Sequence, residues 1–235
     1  MEIKPYGDFA LLVNFQQAID PEINQQVLAL DDFLQNANDG SIQSTIPAYC
    51  SLVVVFDPKR TSYHDLRLLI QTFGQSKPEK PLKKGRRMLI PVCYHKDFGL
   101  DLTELSDQLQ LAIDQIINMH CTDVYQVYML GFLPGFAYMG KLTPELHCGR
   151  KKEPRKVVPA QSVGLAGAQT GIYPMDAPGG WQIVGRTPIA PFNHSKTQPF
   201  LYKPGDLVKF QAVSREQYHH IENEVALNQY NLQEF

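Results

Sequence analysis

Residues 154–174 read PRKVVPAQSVGLAGAQTGIYP, short apolar pairs and triplets broken every few positions by glycine or proline. A helix needs an unbroken run with an apolar stripe, whereas short strands joined by tight turns need this punctuation. The same texture spreads outward in both directions. Of 16 glycines, 11 lie from Gly131 onward, together with 10 of 17 prolines, and β-type runs at 125–130 and 207–212 stand between them. The expectation for this part of the chain is an all-β barrel.

Toward the N-terminus the pattern lengthens. Residues 9–15 form an apolar β-type run, and Asp20-Pro21 opens a helix whose Ile23, Val27, Leu30 and Leu34 share one face before Asn38-Asp39-Gly40 ends it;. Strands at 42–46 and 52–56 follow and pair. Ser62 with Asp65 caps a second helix striped by Tyr63, Leu66, Leu69, Ile70 and Phe73, and 87–94 reads as a further strand;. The order strand, helix, strand, strand, helix, strand predicts a ferredoxin-like α/β domain over residues 1–94, with both helices on one face. The segment 77–85, KPEKPLKKG, is expected as a charged, flexible loop within it, with a linker as the alternative reading;. Residues 95–235 then hold a helical connector, a single helix over 103–119, and the barrel. The predicted class is α+β.

Composition narrows the partners. A net charge of -2 and a pI near 6.4 speak against a dedicated nucleic-acid binder;. The first residues lack a basic stretch followed by an apolar run, and no segment approaches the roughly 18 apolar residues that span a bilayer. We therefore expect a cytoplasmic protein that engages no membrane. Cys50, Cys93, Cys121 and Cys148 are scattered without a CxxC pair, and the histidines lack ligand spacing, His120 beside Cys121 reading as packing;. No metal site is expected.

Three motifs carry candidate chemistry. GFLPGFAYMG (131–140) sets Gly131 and Gly135 among Phe132, Phe136 and Tyr138, which suits either a small-ligand contact or core aromatics;. Residues 154–174 combine Gly164, Gly167 and Gly171 with Arg155, Ser162, Gln169, Thr170 and Tyr173, either as backbone N–H groups aimed at an anion or as β-turns;. The glycine spacing fits neither a Walker loop nor GxGxxG. APGGWQIVGRTP (177–188) contributes Gly179, Gly180 and Trp181, and leads to Arg186. Arg155 and Arg186 sit in apolar or glycine-rich runs, so each needs an anionic partner, substrate or internal carboxylate. The cluster Arg150-Lys151-Lys152 with Lys156 reads as a solvated loop or as a face for an acidic partner;.

Taken together, these motifs resemble the family of 5-oxoprolinase B subunits, also called KipI-like or allophanate hydrolase subunit 1. Cys93-Tyr94 followed by FGLDL at 98–102 is similar to its CY…GPDL segment, and Lys203-Pro204-Gly205-Asp206 to its PGD turn. The resemblance implies a small α/β domain before a cyclophilin-like β-barrel, and two partners, a KipA-like C subunit plus an A subunit. It also implies ATP-dependent opening of 5-oxo-L-proline (pyroglutamate) to L-glutamate. The ATP site, with magnesium as the counter-ion, is then completed by the partner. On this reading Arg155 and Arg186 stabilise charge, while Gln169 and Tyr173 orient the lactam. Gly131, Phe132, Gly135, Phe136, Tyr138, Ser162, Gly164, Gly167, Thr170, Gly179, Gly180 and Trp181 form the substrate or nucleotide site. Two other roles occur near this family: KipI-like inhibition of a sensor histidine kinase, and a module of urea carboxylase. The chain departs from the family with Gln161 in place of the glycine of VPAGSVG, Lys141 within YxGGL, and His95-Lys96 in place of glycines.

Overall fold

The first sheet runs through β1 (Glu2–Pro5), β2 (Ala10–Asn14), β3 (Ile42–Pro47) and β4 (Ser51–Phe56), with α1 (Pro21–Ala37) after β2 and α2 (Tyr63–Gln75) after β4. The structure, a computed structural model, describes residues 1–37, 39–75 and 85–235; the expected charged loop at 77–85 falls outside them except for Gly85. Asp20 Oδ1 accepts from the Glu22 and Ile23 backbone N–H groups at 2.9 and 3.2 Å, which satisfies orphan donors of α1;. Ser62 Oγ accepts from the Asp65 N–H at 3.2 Å and does the same for α2. Leu11, Val13, Leu52 and Val54 alternate onto one face, where Val27, Leu30, Leu34, Leu66 and Ile70 of the two helices meet them. Asn24, fully buried on α1, donates to the Ala48 and Tyr49 carbonyls at 3.1 and 3.3 Å and fastens the helix to the β3–β4 turn.

The sheet order is β1-β2-β4-β3, antiparallel throughout. A ferredoxin-like domain over 1–94 requires the strand at 87–94 beside β2. That edge belongs instead to β1, which carries no apolar alternation to announce it, and β5 (Arg87–Val92) lies in the second compact unit, Gly85–Phe235, rather than the first, Met1–Lys84. The reason is burial. Met88, Ile90 and Val92, at most 2% exposed, pack in the second unit's core, and β5 pairs in parallel along its whole length with β13. Alternation shows that one face of a strand is covered, without showing by which sheet.

In the second unit β5 is followed by α3 (Leu102–Leu109), α4 (Ile113–Thr122), β6 (Val124–Leu130) and β7 (Ala137–Gly140). Then come β8 (Arg155–Val158), β9 (Ser162–Ala166), β10 (Gln169–Ile172), β11 (Ala177–Gly179), β12 (Gln182–Arg186), β13 (Leu207–Ala212) and α5 (Arg215–Ala226). Seven strands form one sheet in the order β12-β9-β10-β7-β6-β13-β5, and β8 with β11 makes a separate two-stranded ribbon. The sheet curls until its ends touch. Cys93, just past β5, and Arg186 of β12 exchange backbone hydrogen bonds of 2.9 and 3.0 Å.

The helix expected over 103–119 is two helices. Gln110 adopts φ 54° and ψ 39°, a left-handed stop, and the Ala112 N–H donates to Gln115 Oε1 at 2.9 Å to start the next;. The break allows Leu105 and Ile116 both to be fully buried while Ile113 turns outward, 37% exposed. The α5 helix, absent from the sequence expectations, begins with a reciprocal cap: Ser214 Oγ accepts from the Gln217 N–H and Gln217 Oε1 from the Ser214 N–H;. Among the described residues, no helix is long and apolar enough to cross a membrane.

Candidate functional site

Alternation along β7 and β9 separates two apolar layers. Ala137, Met139, Val163 and Leu165 face the main core, whereas Phe136 and Ala166 join a second cluster with Val158, Tyr173, Trp181 and Ile183. Phe136 is its hub. Its ring centroid lies 4.7 Å from that of Tyr138, 5.1 Å from Tyr173, 5.5 Å from Trp181 and 5.7 Å from Phe132, the last three nearly perpendicular;. Residues of all three motifs therefore meet on one side of the sheet.

The glycines of residues 154–174 make this possible by size. A Cβ at Gly171 would lie 3.1 Å from Trp181 Cζ3 and 3.2 Å from Phe136 Cε1, and one at Gly164 would lie 3.1 Å from Trp181 Cβ. At Gly179 it would fall 2.2 Å from the Tyr173 hydroxyl. Small residues on the strands thus leave the room that the aromatic side chains occupy.

Against this cluster lies a cavity of ≈ 230 Å³. Phe132, Phe136, Tyr138, Tyr173 and Trp181 supply its aromatic walls, Pro178, Gly179 and Gly180 come from the third motif, and Pro154 and Arg150 complete it. Burial pushes both phenols above the usual tyrosine value. Arg150 opposes that shift at Tyr138, and at Tyr173 it is opposed by a hydrogen bond from the Trp181 backbone and then by Arg150 and Arg155;. Both phenols are therefore protonated at neutral pH.

Of the candidate catalytic and ligand-binding residues of the three motifs, Phe132, Phe136, Tyr138, Tyr173, Gly179, Gly180 and Trp181 line this cavity, and the other candidates do not. Arg155 is bonded through Nη2 to Asp101, whose side chain is 1% exposed, so its anionic partner is an internal carboxylate. Arg186 has its guanidinium carbon 5.9 Å from the Phe98 ring centroid, and its Nε is buried without a hydrogen-bond partner. Gln169 lies in β10, opposite Ala166 and Gly140. Ser162 is buried and its carbonyl accepts from the Tyr173 N–H at 2.9 Å. Thr170 Oγ1 is fully buried, 3.0 Å from His120 Nε2 and donating to the Gly164 carbonyl at 3.2 Å. Gly131 and Gly135, the latter at φ +87°, shape the turn that carries Phe132; the Gly131 N–H donates to the Phe136 carbonyl at 3.1 Å.

The backbone N–H cradle expected over 164–171 is corrected by the sheet. Gly164 and Gly171 sit in β9 and β10, each flanked by strands on both sides, and the Gly167 N–H donates to the Cys148 carbonyl at 2.7 Å. These donors are directed at neighbouring chain rather than at a ligand.

Two residues outside the sequence-derived candidates organise the site. Asp101 accepts from Arg155 and from Lys151 Nζ at 3.0 Å through Oδ1, and from the Ile183 N–H at 2.6 Å through Oδ2. It ties the start of α3 to β12, to the ribbon and to the loop around residue 150. Burial would raise its carboxyl pKa, but Arg155, the Ile183 N–H and Lys151 prevail and hold it below the usual range;. Its signal in the sequence is an acid isolated in the apolar run Gly99-Leu100-Asp101-Leu102. Arg150, expected only within a solvated basic loop or a partner-facing patch, lines the cavity, and no local pattern distinguishes it from Lys152 or Lys156.

A cavity of ≈ 230 Å³ lies below the roughly 300–1,000 Å³ of ordinary small-molecule sites and is too small to enclose a nucleoside triphosphate;. Among the described residues no group of three His, Cys, Asp or Glu side chains is placed to hold a metal ion.

Comparison with known proteins agrees with the three motifs. Residues 1–202 match the family described as carboxyltransferase domain, subdomain C and D. The chain is 36% identical over 228 residues to the 5-oxoprolinase B subunit of Bacillus subtilis (strain 168), covering 93% of this chain and 95% of that one. It is 38% identical over 212 residues to the protein of the same name from Haemophilus influenzae, covering 89% and 97%. Among solved structures, the crystal structure of TTHA0988 superposes with a TM-score of 0.79 at 36% identity over 87% of this chain, which spans 40% of that longer chain. The Kluyveromyces lactis urea carboxylase shares the fold, with a TM-score of 0.77 at 18% identity over 98% of this chain and 23% of its own. With near full-length matches of this identity to curated members, the chain belongs to the family of 5-oxoprolinase B subunits.

Proposed function

We propose that this chain is the B subunit of an ATP-dependent 5-oxoprolinase that opens 5-oxo-L-proline to L-glutamate in the cytoplasm, acting with the A and the KipA-like C subunits of the complex. The observation that carries this reading is the convergence of the three family motifs on one small aromatic cavity. A lactam resists water because its amide is resonance-stabilised; phosphorylation of the carbonyl oxygen by ATP makes the carbon open to attack by water. The ring C–N bond then breaks with the nitrogen leaving as the amine, and hydrolysis of the resulting acyl phosphate releases L-glutamate and phosphate. The cavity suits a five-membered ring and not a nucleotide, so ATP and its magnesium belong to the partner subunits. This chain's part is to bind. The rings of Phe136, Tyr173 and Trp181 pack the lactam and keep bulk water from it, and the protonated Tyr138 and Tyr173 hydroxyls provide polar contacts. In this reading the closed sheet of the second unit is a cyclophilin-like barrel. Arg155 acts on the site through Asp101 by holding the ribbon, and Arg186, which pairs with no acid among the described residues, remains a cation for a phosphoryl or carboxylate group of the assembled complex.

The test is co-expression with the C and A subunits, followed by glutamate and phosphate release. ATP hydrolysis that depends on both 5-oxoproline and this chain is the expected result. Full turnover without the chain, or ATP hydrolysis driven by urea instead, overturns the reading. A KipI-like inhibitor would give no 5-oxoproline-dependent hydrolysis and would slow autophosphorylation of a histidine kinase.

A further inference from the structure

We infer that Arg150 is the specificity-determining cation of the aromatic cavity, selecting a small cyclic ligand by its carboxylate. The identity of that ligand as 5-oxoproline rests on the function proposed above; the preference for a carboxylate rests on the cavity alone. Among the lining residues Arg150 is the only ionised side chain, because the others are aromatic, proline or glycine and the two phenols are held protonated. A neutral lactam would gain packing there and at most a hydrogen bond to its carbonyl oxygen, which a ring bearing a carboxylate offers as well. A ring bearing a carboxylate gains a charge-assisted contact of the forked kind that guanidinium provides and ammonium does not.

The chain holds Arg150 for this purpose on both sides. The Gly149 carbonyl accepts from Gln182 Nε2 at 3.2 Å, and the Lys151 N–H donates to the Gly180 carbonyl at 2.7 Å. Lys151 Nζ reaches Asp101 at 3.0 Å and Glu104 at 2.7 Å. The backbone at the cavity mouth is thereby fixed while the Arg150 side chain remains exposed, without an ion pair among the described residues. Its neighbours are different. Lys151 pairs with Asp101 and Glu104 and Arg155 with Asp101, which leaves Arg150 as the cavity-lining cation without an acid among the described residues.

Trp181, the chain's single tryptophan, lines the same cavity, so its fluorescence reports occupancy without turnover. The full chain is titrated with 5-oxo-L-proline and with 2-pyrrolidinone, the same ring without the carboxylate, and the assembled oxoprolinase complex is assayed in parallel. We expect 5-oxoproline to bind at least about tenfold more tightly than pyrrolidinone. Arg150→Met should abolish that difference by weakening 5-oxoproline alone, and Arg150→Lys should restore part of it. In the complex, Arg150→Met should raise KM at least about tenfold with a smaller change in kcat. Equal affinities for the two rings in the wild type, or an Arg150→Met variant that keeps both its ligand preference and its KM, overturns the assignment. If the isolated chain binds neither ring, the KM comparison in the complex decides. Carboxylate preference at Trp181 in a complex without oxoprolinase turnover would sustain this site and remove the proposed enzyme.

Discussion

Replacing Asp101 with asparagine should destabilise the second unit more than any surface change. The carboxylate is 1% exposed and faces Arg155 and Lys151, whose side chains are 23% and 19% exposed, so the variant leaves Arg155 facing a neutral amide and Lys151 with Glu104 alone. Breaking a buried pair by removing one partner costs about 3–5 kcal/mol, and the partial solvent access of the two cations lowers the expectation here to about 2–4 kcal/mol. The assay is urea unfolding followed through Trp181, which lies in the same unit, with m unchanged between wild type and variant;. The pH dependence supplies a second check. Because the folded carboxyl titrates below its ordinary value of 3.8, the unfolded chain binds more protons in that window;. The stabilisation is therefore fully present above pH 3.8 and disappears as pH falls through the lower folded value. The gap between wild type and Asp101→Asn should be constant near neutrality and close in acid. A gap under about 1 kcal/mol at pH 7, or one that stays open at the acid end, would refute the clamp.

Three other expectations concern the second unit. His120 is fully buried with Nδ1 2.7 Å from the Tyr94 hydroxyl, and burial depresses its pKa from 6.5 to about 3. Stability present above pH 6.5 should thus fall progressively as pH drops toward 3, and His120→Gln should flatten this part of the acid-unfolding profile; an unaltered slope would assign it to other groups;. Gly179→Ala should displace the Tyr173 ring, cost about 1–3 kcal/mol and shift Trp181 emission, whereas Gly180→Ala, whose Cβ would meet nothing closer than 3.6 Å, should be silent in both;. Gln161 sits at φ +66°, a left-handed conformation that favours glycine, so Gln161→Gly should raise stability by about 1 kcal/mol, measured as a higher Tm;.

The order of residues alone made the local elements legible. The Asp20 and Ser62 caps, the stripes of α1 and α2, the strands near β2, β3, β4, β6 and β13, and the motifs of the family all follow from near-neighbour chemistry: a capping oxygen, a helical or strand period, a glycine where a side chain would collide. Pairing across distance was settled by the folded chain. It placed residues 87–92 beside residues 207–212, gave the edge of the first sheet to Glu2–Pro5, and stopped one helix at Gln110 to make two. It also sorted the cations. Arg155 and Arg150 stand five positions apart in the same basic stretch, yet Asp101, about fifty residues upstream, neutralises the first and leaves the second at the cavity. Strand pairing and ion pairing both depend on which surfaces the folded chain brings within a few ångströms, and a periodicity or a charge pattern carries no record of that distance.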